Sequence, residues 1–599
     1  MHHTTALFRP MGAFLALLGL LALAGCAGSG PDAHAPETPP KTLAATPPDQ
    51  ILGQTFAQTF AQTFAHEQDH AREVFLAAYS GIASKYITPT LVARLAEEGL
   101  TGLTAIDPAL ALNRTDDMIV MEYAGETVFA APAPPTNNPK AWAGLTVTMI
   151  TEGARFSKDL RQANAERIYE AVFDATLSQL DIFSRYAGAE EALRNRAKRD
   201  GFGGIGIRFQ VQNGATRITH VIPDTPAEES DLRIGDMIGQ IDDFPAKGLS
   251  TRKISKLLRG PVHSEVVLRI WRDNEKNPRR HVLKRTHIVP VTVSARLDDN
   301  ILFLRVQGFN RKTAKALVSE LKRLDGPDPD SVHGIVLDLR GNPGGLLNQS
   351  IEVADLFLDQ GQIMSTTGRH ADSIHYFRAD GSDRTRGLPL VILVDGGSAS
   401  AAEVVAAALQ DLGRGVVIGT TSYGKGTVQT VIRLPNDGEI TLTWSKLIAP
   451  SGYAFHGRGV RPVVCTAQGG NQETLIRTTL ADGPAVAHNF SLWRTSGRGT
   501  AIGAPVRDAQ GVGQKTEATA ILKKLRATCP SLRLTTKSDI KYEAFSEPPP
   551  TRPSLEPLFP ESDLETAVAR TILANRALYA QTLKLSAPTE ESAEIPPRK

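Results

Sequence analysis

Between Ile301 and Ile418 short, largely apolar runs alternate with amphipathic stretches, and few folds accept such a pattern. Residues 301–306, 334–339, 390–394 and 416–418 are the apolar runs. A helical stretch from Lys312 to Leu324, a second after 339 and a third through Ala408 lie between them. Apolar strands alternating with amphipathic helices predict an α/β core with buried strands.

The rest of the 599 residues is organised differently. From Glu67 to Asp200 apolar residues recur mostly at helical spacing, as in residues 74–79 and 168–173, with a break at Pro132-Ala133-Pro134-Pro135. From Gly201 to Asp273 the chain reads as short strands with Gly and Pro turns. Beyond 466 a proline cluster at 548–550 reads as a linker, 563–583 as a helix and the last stretch as disordered. Lys plus Arg (66) nearly balance Asp plus Glu (64), which gives no support to nucleic-acid binding. Three cysteines exclude a disulfide-dense scaffold and a four-cysteine metal site.

Arg9 precedes an apolar run from Ala13 to Ala24, too short to cross a bilayer and typical of a secretory signal. It ends in Leu23-Ala24-Gly25-Cys26, which resembles the lipobox of bacterial lipoproteins, whose cysteine is lipidated. A Pro-, Ala- and Thr-rich tether follows, then Gln-Thr-Phe-Ala from Gln54, repeated at Gln58 and Gln62, which puts Phe56, Phe60 and Phe64 on one helical face. Cys465 and Cys529 remain; in an oxidising compartment they either pair or stay as two buried thiols.

Chemistry concentrates in three blocks. Asp395-Gly396-Gly397-Ser398-Ala399-Ser400-Ala401-Ala402-Glu403 joins an apolar strand to an alanine-rich helix. A serine on that turn meets free backbone N–H groups and the positive end of the helix dipole. Alone, Ser400 reads as an N-cap. Lys425, between Gly424 and Gly426, is placed as no exposed helical lysine would be, and burial would lower its pKa enough for it to act as a base. Gln429, four residues on, could orient the amine, and Ser–Lys is a recognised nucleophile–base pair. The glycines of Asp338-Leu339-Arg340-Gly341-Asn342-Pro343-Gly344-Gly345 can turn N–H groups toward a ligand.

These blocks resemble those of the C-terminal processing peptidases, or tail-specific proteases, which are PDZ-containing serine proteases with a Ser–Lys dyad. The resemblance implies Ser400, not Ser398, as nucleophile, Lys425 as base and Gln429 as its helper. It implies an oxyanion hole from Ala401 and either Gly344 or Gly345. Ala402 departs from the family's usual serine, and His456 and Val463 from its glutamine and aspartate; His456 reads as structural. Residues 180–186 resemble a segment that precedes the family's PDZ domain, and Phe202-Gly203-Gly204-Ile205-Gly206-Ile207 a PDZ carboxylate-binding loop. Asp231 stands where the PDZ signature has glycine.

The expected protein is multidomain α/β. Residues 1–25 form a lipoprotein signal peptide, 26–66 a tether with the Phe repeat, and 67–199 a helical N-terminal domain. Residues 200–274 form a PDZ domain, 285–465 a crotonase-like peptidase core, and 466–599 a C-terminal extension. It would sit lipid-anchored in the bacterial envelope, facing the periplasm, and bind exposed C-termini without metal or nucleotide. A homo-oligomer or an adaptor would fit equally. Three other readings compete. The near-match to a phosphate loop at Gly419–Lys425 fails because Gly426 stands where Ser or Thr must hold Mg²⁺. A crotonase-type acyl-transfer enzyme would carry no PDZ or dyad. A catalytically inactive PDZ scaffold would have lost Ser400, Lys425 or Gln429.

Overall fold

The computed structural model describes residues 48–273, 275, 277–325, 331–381, 383–495, 520, 523–531 and 563–587, with side chains from Glu67 onward. The signal peptide, the lipobox Cys26, the Phe-repeat side chains, the linker at 548–550 and the tail from 588 lie outside the described residues. The chain divides into two compact units, 1–64 and 65–599, and the second holds the domains and the candidate site.

The N-terminal domain packs the helices Val92–Thr101, Pro139–Phe156 and Ala165–Ser178 against the end of the helix Pro48–Lys85. Asn138, Ser157 and Asn164 cap helices by accepting backbone N–H groups. Its core includes Phe75, Tyr79, Trp142 and Phe173. Here the helical expectation needs an addition. Leu110–Thr115, Met118–Tyr123 and Glu126–Pro132 form a three-stranded antiparallel meander. Its tight turns use Asp116, Ala124 and Gly125 at positive φ, and only the last two announce themselves in sequence as a Gly turn.

The next domain is a β-sheet in the order Arg279–Lys284, Glu265–Trp271, Met237–Ile241, Ala215–Val221, Ile207–Gln212. The helix Thr251–Leu258 buries Ile254 and Leu258 in its core. Asp231 keeps the turn that glycine would make, at φ +60°, a region that Asp tolerates better than most residues. Arg233, Arg272 and Arg279 hold its carboxylate. The chain enters and leaves through Phe202–Gly204 and Thr286–Ile288, paired antiparallel as a neck.

In the core, Val293–Asp298, Ile301–Val306, Gly334–Asp338, Leu390–Val394, Val416–Gly419 and Val464–Cys465 form one sheet in sequence order, parallel from the second strand on. Thr313–Leu321, Leu347–Asp355 and Ala401–Asp411 cover one face. Burial on both faces is why these strands carry apolar runs rather than alternation. A second sheet, His375–Arg378, Gln362–Gly368, Glu439–Ile448, Thr427–Arg433, also takes Arg185–Ala187 from the N-terminal domain.

The opposite face of the core sheet is closed by the C-terminal extension. Gln472–Ala481, Gly483–Thr495 and Leu564–Leu573 cover Phe303, Val336, Leu393 and Ile418, placing Val568, Ala569, Ile572 and Leu573 against them. Cys465, at the end of the last strand, is disulfide-bonded to Cys529.

Candidate active site

The buried strand Leu390–Val394 runs into the turn 395–400 and then the helix Ala401–Asp411. Asp395 Oδ1 accepts the N–H groups of Gly397, Ser398 and Gly341, stitching this turn to the one after Asp338. The two serines differ. Ser398 is fully buried; its hydroxyl donates to the Leu339 carbonyl at 2.8 Å and accepts the Asp395 N–H at 2.9 Å. Both its hydrogen-bonding roles are structural. Ser400 is half-buried at the helix N-terminus, with φ +54° and ψ −114°. Such a backbone is sparsely populated by non-glycine residues and persists where its surroundings enforce it.

The enforcement comes partly from Gly344, at φ +98°. A Cβ there would stand 2.9 Å from Ser400 Cβ and 3.0 Å from the Ala401 nitrogen, so the two turns meet only because position 344 is glycine. Buried Asn342 fixes this approach: its Nδ2 donates to the Val306 carbonyl, its Oδ1 accepts the Gly344 N–H at 2.8 Å, and its carbonyl accepts the Ala399 N–H. The Gly344 N–H is therefore engaged, whereas among the described residues none accepts the N–H of Gly345. Of the two glycines that the sequence left open, Gly345 is the one with a donor to offer. Arg340 pairs with Asp338 at 2.9 Å and reaches Asp563 at 2.9 Å, tying this turn to the C-terminal helices. Burial works against the charged form of Asp338, but Arg340 and Arg305 outweigh it and hold its carboxyl below the usual range.

Lys425 sits on the loop between the strands Val416–Gly419 and Thr427–Arg433. The loop is laced to residues 456–460: Ser422 N–H donates to the Val460 carbonyl, Val460 N–H to the Ser422 hydroxyl, and Gly457 N–H to the Gly424 carbonyl. Tyr423 N–H donates to the Ser398 carbonyl at 3.0 Å. A Cβ on Gly426 would lie 2.3 Å from the His456 nitrogen, so His456 buttresses the loop through its backbone. Burial, then Lys446, lowers the pKa of the His456 imidazole.

A residue not singled out from the sequence joins the two halves. Glu403, fully buried, accepts the Ser422 hydroxyl at 2.5 Å and the Gly424 N–H at 2.7 Å through one oxygen. Its other oxygen accepts the N–H groups of both Ser400, at 2.7 Å, and Lys425, at 2.9 Å. Burial still pushes its pKa up to about 7 against these four donors. A glutamate three residues after a serine N-cap was the available signal, since that spacing lets the carboxylate reach back to the cap.

The Lys425 amine packs over the Phe183 ring, 5.2 Å from its centroid. Burial first, and Arg185 second, lower its pKa to about 8, against the opposing pull of Glu403 and Asp181. Gln429 sits at a bulge in its strand pairing, which re-aims its side chain. Its amide nitrogen donates to the Thr427 hydroxyl at 2.8 Å and the Thr443 hydroxyl at 3.4 Å, which leaves its carbonyl oxygen to accept from an amine. Thr443 in turn donates to Asp181 at 3.1 Å. Beside this loop opens a cleft of about 540 Å³, with Phe183, Tyr423, Gly424 and Thr427 in its wall.

In the small β-domain, Ile207–Gln212 is an edge strand, with one side open to an added chain. The loop before it has its carbonyls turned inward: Ile205 accepts the Ala227 N–H and Gly206 the Ile222 N–H. Phe202, Gly203 and Gly204 are committed to the neck.

Comparison with known proteins agrees with this architecture. The model of peptidase family S41 matches residues 300–465 and that of the PDZ domain residues 203–278. The carboxy-terminal-processing protease of Bartonella bacilliformis is 38% identical over 305 residues, covering 51% of this chain and 70% of that protein. The carboxy-terminal processing protease CtpA of Bacillus subtilis is 30% identical over 306 residues, covering 51% of this chain and 65% of that protein. Among solved structures, a photosystem II D1 C-terminal processing protease matches at 24% identity over 65% of this chain and 92% of that one, with a TM-score of 0.34. The chain belongs to peptidase family S41, as a PDZ-bearing serine peptidase of the carboxy-terminal processing type.

Proposed function

We propose that this chain hydrolyses peptide bonds of unstructured proteins with Ser400 as nucleophile and Lys425 as general base. The observation that carries the reading is the single Glu403 oxygen that accepts both the Ser400 and the Lys425 N–H, making the two backbones one hydrogen-bonded unit. Ser400 Oγ attacks the carbonyl carbon and its proton passes to the neutral Lys425 amine. The oxyanion is met by the Ala401 N–H, an unpaired donor of the helix's first turn, and by the Gly345 N–H. The ammonium returns the proton to the leaving amine, and water, deprotonated by the same lysine, releases the acyl group. Gln429, anchored through Thr427 and Thr443, orients the amine.

The PDZ domain would take the substrate's C-terminus as a strand on the edge Ile207–Gln212, its carboxylate against the loop at Ile205 and Gly206 that follows the neck. Cys26, at the end of the signal-like segment, would carry the lipid that holds the enzyme on the periplasmic side of the envelope. Labelling cells with a fatty-acid analogue should mark the wild type and not Cys26→Ser.

The test is cleavage of an unstructured protein with an apolar C-terminus. Ser400→Ala and Lys425→Ala, each folded by circular dichroism, should lose activity by about 10³-fold or more. Equal cleavage by all three proteins would remove the dyad reading. Binding without cleavage by the wild type would favour the inactive scaffold.

A further inference from the structure

The cleft beside Lys425 is completed by a residue outside the segments that the family models match. Arg526, from the short segment 523–531 of the C-terminal extension, lines it together with Lys446 from the strand Glu439–Ile448. The apolar Ile87, Ile182 and Phe183 line it too. Among the described residues, no carboxylate lies within ion-pairing distance of either cation, and the Arg526 guanidinium donates to the Arg458 carbonyl at 3.3 Å. Asp181 also lines the cleft, but its oxygens are occupied by the N–H groups of Phe183 and Ser184 and by the hydroxyls of Ser184 and Thr443. The wall's other titratable side chains, Tyr86, Tyr423 and His456, bring no carboxylate.

Arg526 is held there rather than left to wander. Its neighbour Leu525 offers its carbonyl to Arg461 at 2.6 Å, and Thr528 accepts from the same guanidinium at 2.8 Å. Cys529 is bonded to Cys465, and its carbonyl accepts the Thr421 hydroxyl at 2.6 Å, on the loop that carries Lys425. The half-buried Arg526 guanidinium and Lys446 ammonium therefore keep donors to offer an anion in this cleft.

We propose that this cleft is a substrate subsite for a carboxylate close to the scissile bond, with Arg526 as its specificity-determining residue. The proposal rests on the peptidase reading above. The wall of Ile182 and Phe183 takes the stem of the substrate side chain, and Arg526 and Lys446 take the carboxylate. The same positive field draws acidic segments toward the dyad.

The test uses the full mature chain and unstructured peptides that share one C-terminus and differ by Glu against Gln at each position flanking the cleaved bond. The ratio of kcat/KM for each pair is read, not the absolute rate. At one position the wild type should prefer Glu by about tenfold, the size of one charge-assisted hydrogen bond. Arg526→Gln should bring the ratio within about twofold, Lys446→Gln should lower it, Arg526→Lys should keep part of it, and added salt should shrink it. A second arm measures the Kd of the same pairs on Ser400→Ala, which separates this proposal from the peptidase reading. A Glu preference in Kd that Arg526→Gln abolishes supports the subsite even if the wild type cleaves nothing. A third arm compares amidated with free C-termini: a preference for the free terminus that depends on Arg526 assigns the carboxylate to the chain end. Ratios near one at every position and in both arms, or ratios that Arg526→Gln leaves unchanged, overturn it.

Discussion

Gly344 shows how little room a catalytic turn allows. A methyl group there would collide with Ser400 Cβ and the Ala401 nitrogen while forcing an L-residue to φ +98°. Gly344→Ala should cut kcat/KM by at least about 10²-fold, the cost expected for misplacing reacting groups by about an ångström. The left-handed backbone alone should cost only about 1–2 kcal/mol, so the loss of activity should exceed what the melting temperature implies. With Lys425 as the proposed base, its titration should set the pH dependence. With its pKa lowered to about 8, the fraction of neutral amine rises with pH, so kcat/KM should climb to about pH 8 and then level. Because Arg185 contributes to that lowering, Arg185→Met should move the rise to higher pH, visible in a rate profile on one substrate. Glu403 works oppositely on stability. Its folded-state pKa of about 7 lies above the unfolded value, so the native state binds the extra proton below pH 7. That contribution is complete below the ordinary glutamate range and lost as pH rises to about 7.

At the scale of elements, the helix Ala401–Asp411 and the loop at Lys425 are held by interactions that cross long stretches of chain. The bond between Cys465 and Cys529 spans 64 residues and anchors the segment that touches Thr421 and Ser422. Replacing both cysteines by serine should lower stability by about 2–4 kcal/mol, read as a shift of the denaturation midpoint that reductant reproduces in the wild type. The Glu preference proposed for the cleft should fall in the same variant. These elements were unequally legible in the sequence. The core strands are visible because both their faces are buried, which writes them as apolar runs. The strands of the meander at 110–132 are not, because their inward residues, such as Leu110, Leu112, Ile119 and Met121, are few and mixed with half-exposed polar positions.

For the whole molecule, the C-terminal helices are structural parts of the peptidase. Val568, Ala569, Ile572 and Leu573 close the face of the core sheet that the helices of the family region leave bare. Ile572→Ala should cost about 2–5 kcal/mol by calorimetry, with the dyad untouched. Removal of residues 563–587 should expose that face and give aggregated protein, detectable by size exclusion. The sequence by itself determined the α/β alternation, the turn that carries Ser400 and the loop that carries Lys425, since those rest on spacing within a few residues. The resemblance to the family implied Ser400 rather than Ser398 as nucleophile. Only the tertiary structure decided that among the described residues Gly345 rather than Gly344 keeps a free N–H, that Glu403 binds the backbones of both Ser400 and Lys425, that Cys465 meets Cys529, and that Arg526 reaches the cleft. Apart from the local Asn342–Gly344 bond, each of these joins segments separated in the chain, and such meetings are set by how the layers close on one another, not by local periodicity.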